Sequence, residues 1–383
     1  MAVMTFNKYK GKFRFIVFVI TSMKSSLVFK SLILLAFSLS TSIIVAQEYP
    51  VAASSVAVTP SAKPARLTLS GHKAPVRAVA ISPNGQSIAS GGDDKTVKLW
   101  DALTGKLLFD LNGHVQNIKS VAFTPDGTTL VSSDTETIKL WNTKTGQLIK
   151  TITAHKNGVF AAILTPDGQT LISTGADNTI KLWNIKTGKL QRSLKAEARV
   201  LAVSSDGKTL FSGGENGGKI RIWNLATGKQ LRTLTPPRPK DAFSPQQQAS
   251  GAISLAISPN GQTLISGGYD DSFQSGPLQQ TDGKNLKAWN LKTGKLIYNV
   301  SIGGAGVDTL AISPDGKVFV AGGLGYEVVL CDIKTSKAII TQKGHAGGIY
   351  GLAFSRDGKT LVSGSGDKSV KVWQLVPSLS LVA

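Results

Sequence analysis

The segment DKTVKLWDALTGK, Asp94–Lys106, decides the fold of this chain because it recurs. Close copies follow as TETIKLWNTKTGQ (135–147), DNTIKLWNIKTGK (177–189), GGKIRIWNLATGK (217–229) and GKNLKAWNLKTGK (283–295). The series ends with two weaker copies, YEVVLCDIKTSK (326–337) and DKSVKVWQL (367–375). The marker residues are Trp100, Trp141, Trp183, Trp223, Trp289, Cys331 and Trp373, spaced by 41, 42, 40, 66, 42 and 42 residues. A fixed period of this length marks a repeated supersecondary unit, and the long interval marks an insertion of about two dozen residues.

Each repeat has the same internal order. A short apolar strand (VRAVAIS, 76–82) meets a turn, Pro83-Asn84-Gly85, and then a second strand (SIAS, 87–90). The Trp strand follows, then a Thr-Gly-Lys turn, then a fourth strand such as LLFDL (107–111). Asp or Asn before Gly supplies left-handed backbone for a tight hairpin, and Pro presets its entry. The chain therefore reads as all-β: seven four-stranded antiparallel meanders closed into a ring. Forty glycines and only 17% charged residues among 383 agree with many short strands and tight turns.

These residues resemble the WD-repeat β-propeller family. Gly71-His72, Ser90-Gly91-Gly92-Asp93-Asp94 and Val97-Lys98-Leu99-Trp100-Asp101 carry the resemblance, with partial copies in the other repeats. It implies seven blades around a central channel. It also implies that Arg66-Leu67-Thr68-Leu69 supplies the outer strand of the last blade, leaving no long sheet edge open. On this reading the propeller occupies 66–376, a flexible linker 47–65 and a short tail 377–383.

The first 46 residues read as an export signal of bacterial type. They hold six basic residues and no acid, and two apolar runs, 13–20 and 31–46. The second ends Ile44-Val45-Ala46 before Gln47, a pattern compatible with cleavage after Ala46. Starting at Met23 gives the proportions of a compact signal peptide, so residues 1–22 read as an upstream misreading of the start codon. The alternative is an uncleaved membrane anchor through 31–46, although that run is short of the ~20 residues of a spanning helix. The protein is thus expected in the periplasm or outside the cell, with membrane contact only through this segment. Its single cysteine can form no internal disulfide.

His72, Ser90 and Asp94 look like a hydrolase triad, but the same types recur as His155, Ser173, Asp177 and as His345, Ser363, Asp367. An enzyme needs one such site with an oxyanion hole and a cleft. By the resemblance, each trio joins its blade tryptophan (Trp100, Trp183 or Trp373) in a buried hydrogen-bond tetrad that satisfies the indole N–H. Blade two has His114 and Trp141, yet its turn is one residue shorter and Asp134 reads as out of step. Blades four to six lack the histidine and are expected to form a softer arc. No HExxH, GxSxG or phosphate loop occurs, and four scattered histidines offer no metal cluster. Neither a catalytic residue nor a cofactor is expected. Cys331 stands at a tryptophan position, which predicts a buried, unreactive thiol.

Function should lie where the repeats stop agreeing. The position before each inner strand varies freely: Arg77, Lys119, Phe160, Arg199, Ile253, Asp308 and Tyr350. These side chains should ring one mouth of the channel, the top face. Blade five adds two long loops there, 235–252 and 269–284, with Arg238, Phe243, Tyr269 and Phe273 as further contacts. Net charge is +20 overall and +14 for residues 47–383. The lysines two before each marker, such as Lys98, Lys139, Lys181, Lys287 and Lys371, read as dispersed charge and not as a nucleic-acid stripe. The sequence therefore points to a non-catalytic scaffold binding protein partners on its top face, with attraction to acidic envelope surfaces. Binding of a small ligand or glycan at the channel mouth is the alternative.

Overall fold

The computed structural model describes residues 4–9, 12–17, 64–214, 218–237, 252–268, 285–302 and 306–375. Near the N-terminus, Met4–Tyr9 pairs antiparallel with Lys12–Val17 in a hairpin of its own. No helix among the described residues is long and apolar enough to cross a membrane.

The remaining strands form seven antiparallel sheets of four. In blade one the order is Val76–Ile81, Ser87–Gly92, Val97–Asp101 and Leu107–Leu111. Blade seven takes Ile349–Phe354, Thr360–Ser365 and Ser369–Gln374, and is completed by Leu67–Ser70 from the other end of the chain. Leu67 lies opposite Val372 and Ser70 opposite Ser369, so the ring closes as the resemblance implied. Each sheet is covered by its two neighbours. That is why the second and third strands are apolar on both faces, while the outer strands carry polar residues.

The core lies between blades. Seven apolar clusters occur, one at every interface around the ring. Each marker residue plugs the interface with the preceding blade: Trp100 packs with Val362, Val370 and Val372 of blade seven, and Trp373 with Val328 and Leu330 of blade six. A blade alone would expose these faces, so the units stabilise one another only as a closed ring.

Two further devices join the repeats. The Ser or Thr before each Pro-Asp/Asn-Gly turn locks it: Ser82 Oγ donates to Asn84 Oδ1 at 2.7 Å and accepts from Ser87 N–H at 2.8 Å. Along the lower rim, long outer-strand side chains latch onto carbonyls of the next blade's Thr-Gly-Lys turn. Lys150 donates to Lys186 O (2.9 Å), Arg192 to Ala226 O (2.9 Å) and Arg232 to Lys292 O (3.4 Å). Several of the lysines two before the marker are also engaged. Lys98 is buried against Asp110 (2.7 Å), Lys181 holds Asp177 (2.9 Å) and Lys371 reaches Thr68 (3.0 Å).

Candidate functional site

The three trios form tetrads. In blade one, Trp100 Nε1–H donates to Ser90 Oγ (2.8 Å), Ser90 lies 2.8 Å from His72 Nε2, and His72 Nδ1 faces Asp94 at 2.9 Å. With the carboxylate ionised, Nδ1 carries the proton and donates, so Nε2 accepts from the serine hydroxyl. Blade three repeats this with Trp183, Ser173, His155 and Asp177, and blade seven with Trp373, Ser363, His345 and Asp367. A serine whose oxygen already accepts an indole N–H beneath a packed blade interface cannot present it to a substrate. Among the described residues no group of acids, histidines and cysteine could hold a metal ion.

Blade two corrects the reading of Asp134. Trp141 donates to Ser132 Oγ (2.8 Å), His114 Nε2 meets Ser132 at 2.7 Å, and Asp134 Oδ2 lies 2.9 Å from His114 Nδ1. The shorter turn still delivers the carboxylate, tied down by the N–H groups of Glu136 and Thr137. It arrives off the line of a good hydrogen bond to Nδ1, so this is the loosest of the four tetrads. Blades four and five keep only the Trp–Ser half, at 2.9 and 3.2 Å.

These networks predict acid sensitivity in two stages. Burial holds His72, His114, His155 and His345 below their ordinary pKa. The unfolded chain then binds more protons, so the stability from neutral imidazoles is complete above about pH 6.5 and is lost as pH falls below it. Burial works against the Asp94 and Asp367 carboxylates, but hydrogen bonds from turn N–H groups, hydroxyls and imidazoles outweigh it; Asp367 is lowered to about 2. Depressed carboxylates contribute stability above about pH 4 that is lost as they protonate. Urea midpoints measured from pH 8 to pH 3 should fall first below about 6.5 and again below about 4. A midpoint flat down to pH 4 would contradict the buried neutral histidines.

The variable column stands at the starts of the inner strands, with a difference from the sequence reading. Arg77, Phe160 and Tyr350 are not placed before their inner strands but inside them, as the extra residue of a β-bulge. A bulge frees one side chain from the alternation of the strand and re-aims it, which is how a sheet rim presents a residue. Lys119, Arg199, Ile253 and Asp308 stand just ahead of theirs, their N–H groups donating to the carbonyl across the second strand.

Ring closure brings column members together in pairs. The Arg77 guanidinium lies 4.3 Å from the centre of the Tyr350 ring, while Asp93 accepts its Nε–H (2.9 Å) and Nη2–H (2.6 Å). Three interfaces around the ring, Arg199 lies 5.0 Å from the Phe160 ring centre. Stacking on an aromatic face fixes each guanidinium's rotamer before a partner binds. Lys119 is exposed on this rim, while Ile253 is half-buried. Arg238, Phe243, Tyr269 and Phe273 lie outside the described residues, as do most of both blade-five loops.

The family model "WD domain, G-beta repeat" matches residues 64–101, 105–142, 146–184, 188–224, 243–274 and 336–374, more than half of the chain. The chain belongs to the WD-repeat family. Propellers of this family are typically non-enzymatic and mediate protein interactions. Short stretches of this WD-repeat chain are similar to longer eukaryotic proteins. Periodic tryptophan protein 2 of Arabidopsis thaliana is 45% identical over 65 residues, 17% of this chain and 7% of that protein. The Lissencephaly-1 homolog of Monosiga brevicollis is 36% identical over 67 residues, 18% of this chain and 16% of that protein. The Ribosome biogenesis protein BOP1 homolog of Dictyostelium discoideum is 45% identical over 56 residues, 15% and 7% respectively. The chain thus spans less than a fifth of the relatives it matches.

The Cys331 strand falls outside the matched segments of this WD-repeat protein, and its packing explains how it departs. Cys331 is fully buried and burial pushes its thiol up to about 12, as an unreactive position requires. The volume of the absent indole is taken by Phe319, directly across the strand pair, where blades one and three have Ile88 and Leu171. Ala321 stands where the tetrad serine would be, so donor and acceptor were lost together. Tyr298 of blade five covers this strand and donates to Ile333 O at 3.1 Å. Ser336 holds the turn with φ 59°, the left-handed conformation that glycine adopts in the other blades.

Proposed function

We propose that this WD-repeat protein is a non-catalytic interaction scaffold, exported through residues 1–46, that takes a protein partner on its top face. The observation that carries this reading is the pair of preset Arg–aromatic contacts, Arg77–Tyr350 and Arg199–Phe160, on the bulged rim. Arginine and tyrosine anchors held in place before binding are the usual dominant contributors to an interface. Lys119, Ile253 and Asp308 complete the rim between them, and their chemical variety suits one shaped partner better than a repeated ligand.

Affinity capture from envelope extract tests this. Tyr350→Ala combined with Arg199→Ala should weaken capture of the main protein partner by at least about fivefold, the effect of losing modest interface anchors. Unchanged capture would remove the top face from the site. Saturable binding of a small ligand or glycan, with no protein captured, would replace the scaffold reading with the channel-mouth one.

A further inference from the structure

We infer that the opposite, bottom face of the ring is a docking face for an anionic lipid surface. Three features of that face converge on this occupant.

The first is where the chain enters. Arg66 N–H donates to Val372 O (2.7 Å), and its guanidinium donates to Ala102 O (2.6 Å) in the Thr-Gly-Lys turn of blade one. Those turns and the Pro-Asp/Asn-Gly turns are the bottom face, joined by bonds such as Ala102 N–H to Gln86 O (2.8 Å). Seventeen residues, 47–63, separate this entry from the apolar run 31–46. Fully extended they reach no more than about 60 Å. Where the N-terminal segment stays uncleaved, its tether joins the propeller at the bottom face.

The second feature is charge. Lysines that look dispersed along the chain are projected by the turns onto one plane. Lys144, Lys186, Lys292 and Lys334 occupy the same exposed turn position in four blades. Turn carboxylates stay charged among them, Asp126 bonded to Thr124 and Thr128 and Asp206 to Ser204 and Lys208 N–H, but the basic residues of these turns outnumber the acidic ones. The top face also carries acids, Asp93, Glu136 and Glu197, among its lysines.

The third is apolar exposure on the same lower rim. Leu103 is 75% exposed, Leu231 59% and Ile149 51%, with Leu148, Leu190 and Ile297 close to half exposed. At least one of these residues stands in each of blades one to five. Two clefts open between them, ≈ 560 Å³ between blades four and five and ≈ 480 Å³ between blades two and three. Both pair cations with apolar walls, Arg232 and Lys292 with Leu231 and Leu291, Lys150 and Lys186 with Ile149 and Ile185, and turn carboxylates also line them, Asp206 in the first and Asp126 and Asp167 in the second.

Lysines alone would be a solvated face, and leucines alone would suit a protein partner. Their repetition together around a plane matches a planar surface of phosphate headgroups over hydrocarbon, where basic residues meet the charge and apolar ones enter the boundary. The clefts have the size to take individual headgroups.

The test uses the full chain and vesicles of phosphatidylcholine with or without phosphatidylglycerol. The N-terminal apolar run adds to binding on both, so the ratio of affinities reports the propeller. That ratio should favour the anionic vesicles and shrink as salt is raised. Lys144→Gln, Lys186→Gln and Lys292→Gln together should reduce it at least about tenfold, since each basic residue near such a surface contributes roughly fivefold. Lys73→Gln, Lys95→Gln and Lys156→Gln on the top face should leave it unchanged. A ratio of one, or equal losses from both triple variants, would overturn the proposal. So would complete competition by millimolar-range soluble glycerol phosphate, which would mean a site for a free anion and not for a membrane.

Discussion

Replacing Trp373 with alanine should lower the stability of this propeller by about 3–5 kcal/mol, read as a fall in its urea midpoint. Trp373 is among the largest fully buried side chains and fills the interface between blades six and seven. Its indole donates to Ser363 at 2.8 Å, so truncation opens a cavity and also leaves the Ser363–His345–Asp367 chain without its terminal donor. The site lies in the blade closed by Leu67–Ser70, where loosened packing also weakens ring closure. Trp373→Phe keeps most of the volume and loses the donor, and should cost about 1–3 kcal/mol, the penalty of an unsatisfied buried polar group. A loss below about 1 kcal/mol for the alanine variant would show that the tryptophan does not seal the interface.

Installing the missing tryptophan should also destabilise. Cys331→Trp places an indole where Phe319 already fills the interface, an overpacking expected to cost about 1–3 kcal/mol or more. The triple variant Phe319→Leu, Ala321→Ser, Cys331→Trp restores the volume and the hydrogen bond found in blades four and five, and should recover most of that loss. The two variants are compared by the same urea midpoints. A neutral or stabilising Cys331→Trp single variant would disprove the exchange of volume between residues 319 and 331. The pattern would then need another filler for the space beside Cys331.

How much of this was legible in the sequence follows from the range of the forces involved. The meander of each blade comes from apolar alternation and turn residues acting over a few positions, so the period of the marker residues was enough to give seven blades. The tetrads were legible wherever the spacing repeated. His114–Asp134 was missed because a turn one residue shorter can still bring the same carboxylate to 2.9 Å, and linear spacing cannot show how a turn closes. The side chain that fills the space beside Cys331 was not named from the sequence; the register of the strand pair places Phe319 opposite it and Ala321 two residues on.

The sequence by itself determined the repeat and the recurrence of the histidine trios, while closure by an N-terminal strand and the tetrad role of the trios were implied by the family resemblance. Only the tertiary structure decided what meets what between blades. Arg77 and Tyr350 stand at opposite ends of the propeller sequence and touch because the ring closes. The bulges that aim them arise from strand pairing, which composition does not encode. The lysines and leucines of the lower turns look scattered along the chain, and folding gathers them onto one face because every repeat turns back on the same side. Local interactions set each blade, whereas the working surfaces are sums over seven blades and exist only once the ring is shut.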